Sequence, residues 1–304
     1  MQKIRIRAAQ AADRADVAAI CDGVYGDGSD YIPKLWNDWL SDPGGELIVA
    51  EIEGHVVGVA KRTHLADDES WLEGLRVNPT HQGQGIASRL QAHLIDAFRR
   101  MGGGALRFAT HSQNRPVHHL AARDGFRHVA TYRLYEAEPA RGKVAIPLRP
   151  LTNDDLDQAW ELMQGSPRCS AANSLYETFW SWETLTREKL GAHLVRGSGW
   201  GIDKNDGLVA MALLCDTDKE DALDVSYVDG PGEALEVVLV GLRELAARRG
   251  CEKVRFRAVE EPELMDAVER AGYWESWDRK LRVYETVATP RLRESGAGPQ
   301  PYAV

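Results

Sequence analysis

The stretch from Trp71 to Met101 constrains the fold of this chain more than any other. Trp71-Leu72-Glu73-Gly74-Leu75-Arg76-Val77-Asn78-Pro79 is an apolar strand-like run that stops at a proline. Gln82-Gly83-Gln84-Gly85-Ile86-Ala87 follows as a glycine-bearing turn, and Ser88 to Met101 carries Leu90, Leu94, Ile95 and Phe98 at helical spacing. A strand, a glycine turn and a helix in that order leave backbone N–H groups at a helix N-terminus, which is a site for phosphate oxygens. Gly83 and Gly85 let a ligand approach the backbone, and Ala87 is small. No Gly-Lys-Ser/Thr follows, so the turn is not a Walker loop, and it lacks the three glycines of a dinucleotide fingerprint. An ordinary helix start and a phosphate cradle are the two readings of the turn alone.

The longer pattern favours the cradle. Gln-x-x-Gly-x-Ala after a Val-x-Pro strand end resembles the pyrophosphate loop of the GNAT superfamily of N-acetyltransferases. A second block agrees: Gly104 to Ala109 reads as a strand, followed by Asn114 and a short helix closing on Asp124-Gly125-Phe126. Gly125 suits the left-handed position after a helix, and Phe126 the first core residue of the next strand. The resemblance covers about residues 4 to 137. It implies acetyl-CoA as cofactor, held by the backbone of Leu75, Arg76 and Val77, by Gln82, Gly83, Gln84, Gly85, Ile86 and Ala87, and by Asn114.

The chain also repeats itself. Arg7 and Arg149, Asp13 and Asp155, Ile20 and Leu162, and Gly23 and Gly165 share one offset of 142 residues (149 − 7). Later, Leu106-Arg107-Phe108 matches Val254-Arg255-Phe256, Gly125-Phe126 matches Gly272-Tyr273, and Arg133-Leu134-Tyr135-Glu136 matches Arg282-Val283-Tyr284-Glu285. A repeat of that length is a whole domain. The expected class is α/β (α+β), with two tandem GNAT folds, each a mixed, mostly antiparallel twisted sheet flanked by helices. Residues 1–140 form the expected catalytic domain, 141–288 a degenerate second copy, and 289–304 a disordered tail rich in Pro and Gly. Before the second copy's helix, Ala234 to Arg249, the chain reads Asp229-Gly230-Pro231-Gly232-Glu233, and its two carboxylates would repel a pyrophosphate. Tyr176, Phe179, Trp180 and Trp182 cluster in the stretch from Asn173 to Trp182 as packing residues or a binding surface.

Composition narrows the partners. A formal net charge of −9 argues against nucleic acid and favours a cationic or amine substrate. No long apolar run suggests a membrane span, and Met1 to Arg5 leads straight into a strand without an apolar h-region, so no secretory signal is expected. Cys21, Cys169, Cys215 and Cys251 lack metal spacing and read as free thiols of a reducing compartment, so a cytoplasmic protein without a metal site is expected.

A narrower resemblance concerns the acceptor. Gly23-Val24-Tyr25-Gly26, Asp30-Tyr31-Ile32-Pro33, Trp39-Leu40 and Glu73-Gly74-Leu75-Arg76-Val77 occur in the order seen in the histidine N-acetyltransferase family, which this half of the chain resembles. Two departures stand out. Gln82-Gly83-Gln84 replaces that family's arginine-containing loop, and the block from Asn114 to Phe126 is closer to GNAT proteins in general. Tyr25, Asp30 and Tyr31 lie where such folds build the acceptor wall, or else they belong to a turn-rich loop. An amine must be neutral to attack a thioester, and Glu73 is placed to take its proton directly or through water, or only to bind an ammonium. Many GNAT proteins protonate the leaving thiolate with a tyrosine four residues before the Gly-Phe glycine. That position is Ala121 here, leaving His118, His119 and Tyr135 as candidates by type.

The expected activity is therefore acetyl transfer to a small amine, specifically the α-amine of L-histidine or a related amino acid, by direct attack in a ternary complex. An antibiotic- or polyamine-modifying enzyme and a non-catalytic acyl-CoA-binding module are the alternatives.

Overall fold

The computed structural model describes residues 3–26, 28–140, 146–205, 207–215 and 221–288; the side chain of Tyr25 and the expected tail lie outside the described residues. Contacts divide the chain into two units, one running through Arg107 and resuming at Thr286, the other Phe108–Glu285.

The first unit begins with β1 (Arg5–Ala8), α1 (Arg14–Tyr25), α2 (Ile32–Ser41), β2 (Glu46–Ile52), β3 (His55–Ala66), β4 (Glu69–Val77) and α3 (Ile86–Arg100). It ends with the start of β5 (Gly104–His111). Its strands lie in the order β1-β2-β3-β4-β5, antiparallel except for the parallel pair β4–β5. Helices cover both faces. Val59 joins Val17, Ile20, Trp36 and Trp39 in the cluster under α1 and α2. Its neighbour Gly58 faces the other way, where a Cβ would come within 3.1 Å of both Ile86 and Leu90 of α3.

The second unit contains the end of β5, then α4 (Arg115–Arg123), β6 (Arg127–Ala137), β7 (Arg149–Pro150), α5 (Leu156–Met163) and α6 (Pro167–Ala171). It continues with β8 (Leu175–Glu177), β9 (Trp182–Thr184), α7 (Arg187–Val195), β10 (Gly199–Lys204), β11 (Gly207–Leu214), β12 (Ala222–Asp229) and α8 (Gly232–Arg249). Last come β13 (Lys253–Val259), α9 (Pro262–Arg270), β14 (Trp274–Glu275) and, as far as Glu285, β15 (Leu281–Ala288). Here the order is β15-β6-β13-β12-β11-β10-β7, again antiparallel but for the pair β12–β13, and β8–β9 form a separate hairpin. Met211, Leu213 and Tyr227 pack against Leu151, Met163 and Leu190 as the core on one face.

Residues matched by the repeat make matching contacts. In the first unit Arg7 reaches both oxygens of Asp13, at 2.7 and 2.8 Å, and the Gln10 amide donates to the same carboxylate. In the second, Arg149 reaches both oxygens of Asp155 at 3.0 and 2.8 Å, with the Thr152 amide as the extra donor. Gly125 and Gly272 are left-handed at φ 79° and 78°, and the following amides, Phe126 and Tyr273, bond back to Ala121 and Val268. Both are Schellman closures. The contact division at Arg107 falls earlier than the repeat boundary near 140 because β6 pairs with β13, β14 and the Leu281–Glu285 part of β15, all in the second unit. Of the clustered aromatics, Tyr176 and Trp182 are buried, whereas Phe179 and Trp180 stay exposed on the hairpin with positive φ.

Candidate active site

The turn after β4 is built as a helix start with an open approach. Asn78 caps a short 3-10 turn, its side chain accepting from the Thr80 amide at 3.0 Å. Gly83 and Gly85 are left-handed at φ 76° and 77°, and nothing lies within 4 Å of where a Cβ of either would stand. Gly85 is the N-cap of α3, whose first turn carries no acidic residue. Ile86 and Leu90, at 1% and 0% exposure, anchor that helix to the sheet. The positive end of α3 therefore faces out through a glycine cradle, the arrangement that binds phosphate oxygens.

Upstream, β4 bends. Glu73 pairs with Lys61 and Arg76 with Val59, so three steps on β4 oppose two on β3. This is a β-bulge around Gly74, which sits at φ 66°. Any side chain there would collide with the Trp39 ring, 2.6 Å from the Cβ position. The bulge leaves Gly74 and Leu75 together opposite the single step at Ala60, and Arg76 and Val77 rejoin the register with Val59 and Gly58.

Glu73 is half-buried, and burial holds its carboxyl above the ordinary 4.5 despite opposing influences. The Thr63 hydroxyl donates to it, and Lys61 supplies a nearby positive charge. Lys61 in turn donates to Thr63 at 2.8 Å and is paired with Asp42. A carboxyl with a raised pKa next to a strand bulge has the properties of a general base for an ammonium.

The expected acceptor-wall residues Asp30 and Tyr31 come to the same strand. Asp30, 5% exposed, accepts from Arg76 Nε at 2.8 Å and from the Ile32 amide at 3.1 Å. The Arg76 guanidinium lies 5.6 Å from the centre of the Tyr31 ring, and Tyr31 meets Trp39 edge-on at 5.8 Å. Burial of its hydroxyl pushes Tyr31 up to about 12, against the Arg76 charge and a bond from the Gly74 amide. The Asp30 charge is thus matched within the wall by Arg76, leaving Glu73 as the carboxylate at the bulge.

Other sequence candidates fall in the second unit. Asn114 caps α4, accepting from the Val117 amide at 3.4 Å and donating to Thr110 at 2.9 Å. His118 uses both ring nitrogens, toward Tyr284 at 2.8 Å and the Ser112 carbonyl at 3.1 Å. That carbonyl needs a donor, so Nε2 carries the proton and Tyr284 donates to Nδ1. His119 is exposed, Ala121 is fully buried, and the Tyr135 hydroxyl is spent on the Met265 sulfur at 3.4 Å. At α8 the helix start already holds a carboxylate: the Gly232 amide donates to Glu263 at 2.9 Å, and Arg168 bonds its other oxygen at 2.9 Å. Asp229, fully buried, accepts from Ser166, Arg168 and Tyr227. Sequence reasoning missed Asp42, Lys61 and Thr63 as partners of Glu73. The available signal was a lysine closing the apolar run Val56 to Ala60.

Comparison with known proteins follows the same lines. A model of the acetyltransferase (GNAT) family matches residues 16–126. A probable N-acetyltransferase 16 from Homo sapiens is 36% identical over 90 residues, 29% of this chain and 24% of that protein. A histidine N-acetyltransferase from Xenopus tropicalis is 33% identical over 81 residues, 26% of this chain and 25% of its own length. The match thus spans about a quarter of these two relatives. The L-amino acid N-acyltransferase MnaT of Escherichia coli is 31% identical over 136 residues, covering 38% of this chain and 76% of that protein. Among solved structures, a tandem GNAT protein from the clavulanic acid biosynthesis pathway has the same fold, with TM-score 0.56 and 15% identity over 95% of this chain and all of that one.

Proposed function

Because this chain belongs to the acetyltransferase (GNAT) family, we propose that its first repeat is an acetyl-CoA-dependent N-acetyltransferase acting on a small-molecule amine. The specific acceptor we assign is the α-amine of L-histidine or a related amino acid. The observation that carries this reading is Glu73, a carboxyl with a raised pKa at a strand bulge, a few residues ahead of an open glycine cradle. Likeness to a histidine N-acetyltransferase and to an L-amino acid N-acyltransferase supports the choice of acceptor.

The residues present fit the coenzyme. Backbone N–H groups from Gln82 to Ala87 would hold the pyrophosphate, where two glycines leave room for it. Leu75, Arg76 and Val77, at the bulge and just beyond it, would present N–H groups to the pantetheine arm and to the thioester oxygen as it gains charge. Bound acetyl-CoA would supply an acetyl thioester as the acyl donor, with coenzyme A leaving as the thiol. Glu73 takes the proton that the ammonium must lose to become a nucleophile. Tyr31, braced by Trp39 and Arg76, forms an aromatic wall for the acceptor. The second repeat is proposed as a degenerate copy, since Glu263 occupies the start of α8 that would otherwise meet a pyrophosphate.

Coenzyme A release from acetyl-CoA, measured across L-amino acids, polyamines and aminoglycosides, tests the assignment. Turnover with L-amino acids, fastest with histidine, is the expected result. Turnover with aminoglycosides alone would overturn the acceptor, and none with any amine would overturn the activity.

A further inference from the structure

Lys61 is 2% exposed in the middle of a strand. A buried ammonium is stable only when paired and hydrogen-bonded. Its Nζ donates to Asp42 Oδ2 and, at 2.8 Å, to Thr63 Oγ1, and lies 5.6 Å from the centre of the Trp39 ring. The polarity of this chain of bonds is forced. An ammonium only donates, so the Thr63 oxygen accepts from Lys61 and its single proton must point elsewhere. Glu73 Oε1 is where it points.

We propose that Thr63, held by the Lys61–Asp42 pair, is a positioning residue that keeps the Glu73 carboxylate ionised and reserves its other oxygen, Oε2, for the acceptor amine. This rests on the reading of Glu73 as the base. With Oε1 filled by a fixed donor, a proton taken from the amine has one place to go. The groups facing Glu73 agree with the assignment. Lys61 and Thr63 come from β3, and Asp42 from the end of α2. Tyr31 comes from the start of α2, and Arg76, on β4 itself, is occupied by Asp30. Thr63 and Lys61 oppose the effect of burial, whereas Asp42 adds to it. A bond donated to the charged form favours that form. Removing the hydroxyl while keeping the β-branched shape isolates this effect from packing.

Carbon-13 labelling of glutamate carboxyls gives a readout independent of turnover, with the Glu73 signal identified by its loss in Glu73→Gln. Thr63→Val is expected to move the Glu73 titration midpoint to higher pH, and Thr63→Ser to return it. The acid limb of kcat/KM with acetyl-CoA and L-histidine, or the fastest amino acid of the panel, is expected to move with it. Turnover then falls roughly tenfold below wild type at pH 6.5 and converges with it above pH 9. An unchanged midpoint in Thr63→Val overturns the proposal. A uniform loss at every pH does so as well, because it marks Thr63 as merely structural. A shifted midpoint with full turnover in Glu73→Gln instead overturns the base reading on which the assignment to the amine depends.

Discussion

Glu73 carries opposed demands. Burial raises its carboxyl pKa, which suits a base, yet an ionised carboxylate in a half-buried site weakens the fold. Because the folded pKa lies above the unfolded one, the native state binds its proton more readily, and stability falls as pH rises from 4.5 through the folded value. Glu73→Gln removes that cost. It is expected to stabilise the protein by roughly 1 kcal/mol at pH 7 and by nothing below pH 4, measured by urea unfolding. Asp155 has the opposite sign. The Arg149 guanidinium lowers its carboxyl to about 2, so its contribution is complete above the ordinary 3.8 and disappears as pH falls through 2. Arg149 is partly exposed, so screening leaves about 1 kcal/mol for Asp155→Asn to remove at neutral pH, fading in acid.

At the scale of elements, the strand–turn–helix from Glu69 to Arg100 follows from local rules that a sequence displays: an apolar run, two glycines and a 3.6-residue period. Gly85→Val places a β-branched residue at φ 77°, at a helix cap. It is expected to cost roughly 1–2 kcal/mol and to weaken acetyl-CoA binding at least tenfold by calorimetry, filling the approach as well as straining it. Unchanged affinity would mean that the cradle is not the phosphate site. The closures at Gly125 and Gly272 were legible for the same local reason. The bulge at Gly74 was not, because it depends on which residues of β3 oppose β4, and pairing register is a non-local property. Lys61 and Thr63 reach Glu73 through that register, so a lysine closing an apolar run hinted at a buried cation without identifying the carboxylate it serves.

For the chain as a whole, the repeat was readable because it preserves the residues that build each start, Arg7 with Asp13 and Arg149 with Asp155. The grouping of β6 with the second unit was not, since its partners β13, β14 and β15 lie more than a hundred residues along the chain. The carboxylates at Asp229 and Glu233 pointed to a closed second copy, but the group that closes the helix start is Glu263, some thirty residues later. If only the first repeat keeps the cradle, calorimetric titration with acetyl-CoA should give one equivalent per chain, and a second site would show that the α8 start is open to the coenzyme.

Acetyl transfer to an amine, with Glu73 as base, is tested most directly by coenzyme A release from acetyl-CoA at neutral pH in the presence of L-amino acids, wild type beside Glu73→Gln. The expected result is amine-dependent release by the wild type, falling by roughly 10²–10³ in the variant while acetyl-CoA affinity stays the same. Equal rates in the two proteins, or no release that depends on the amine, would contradict the account.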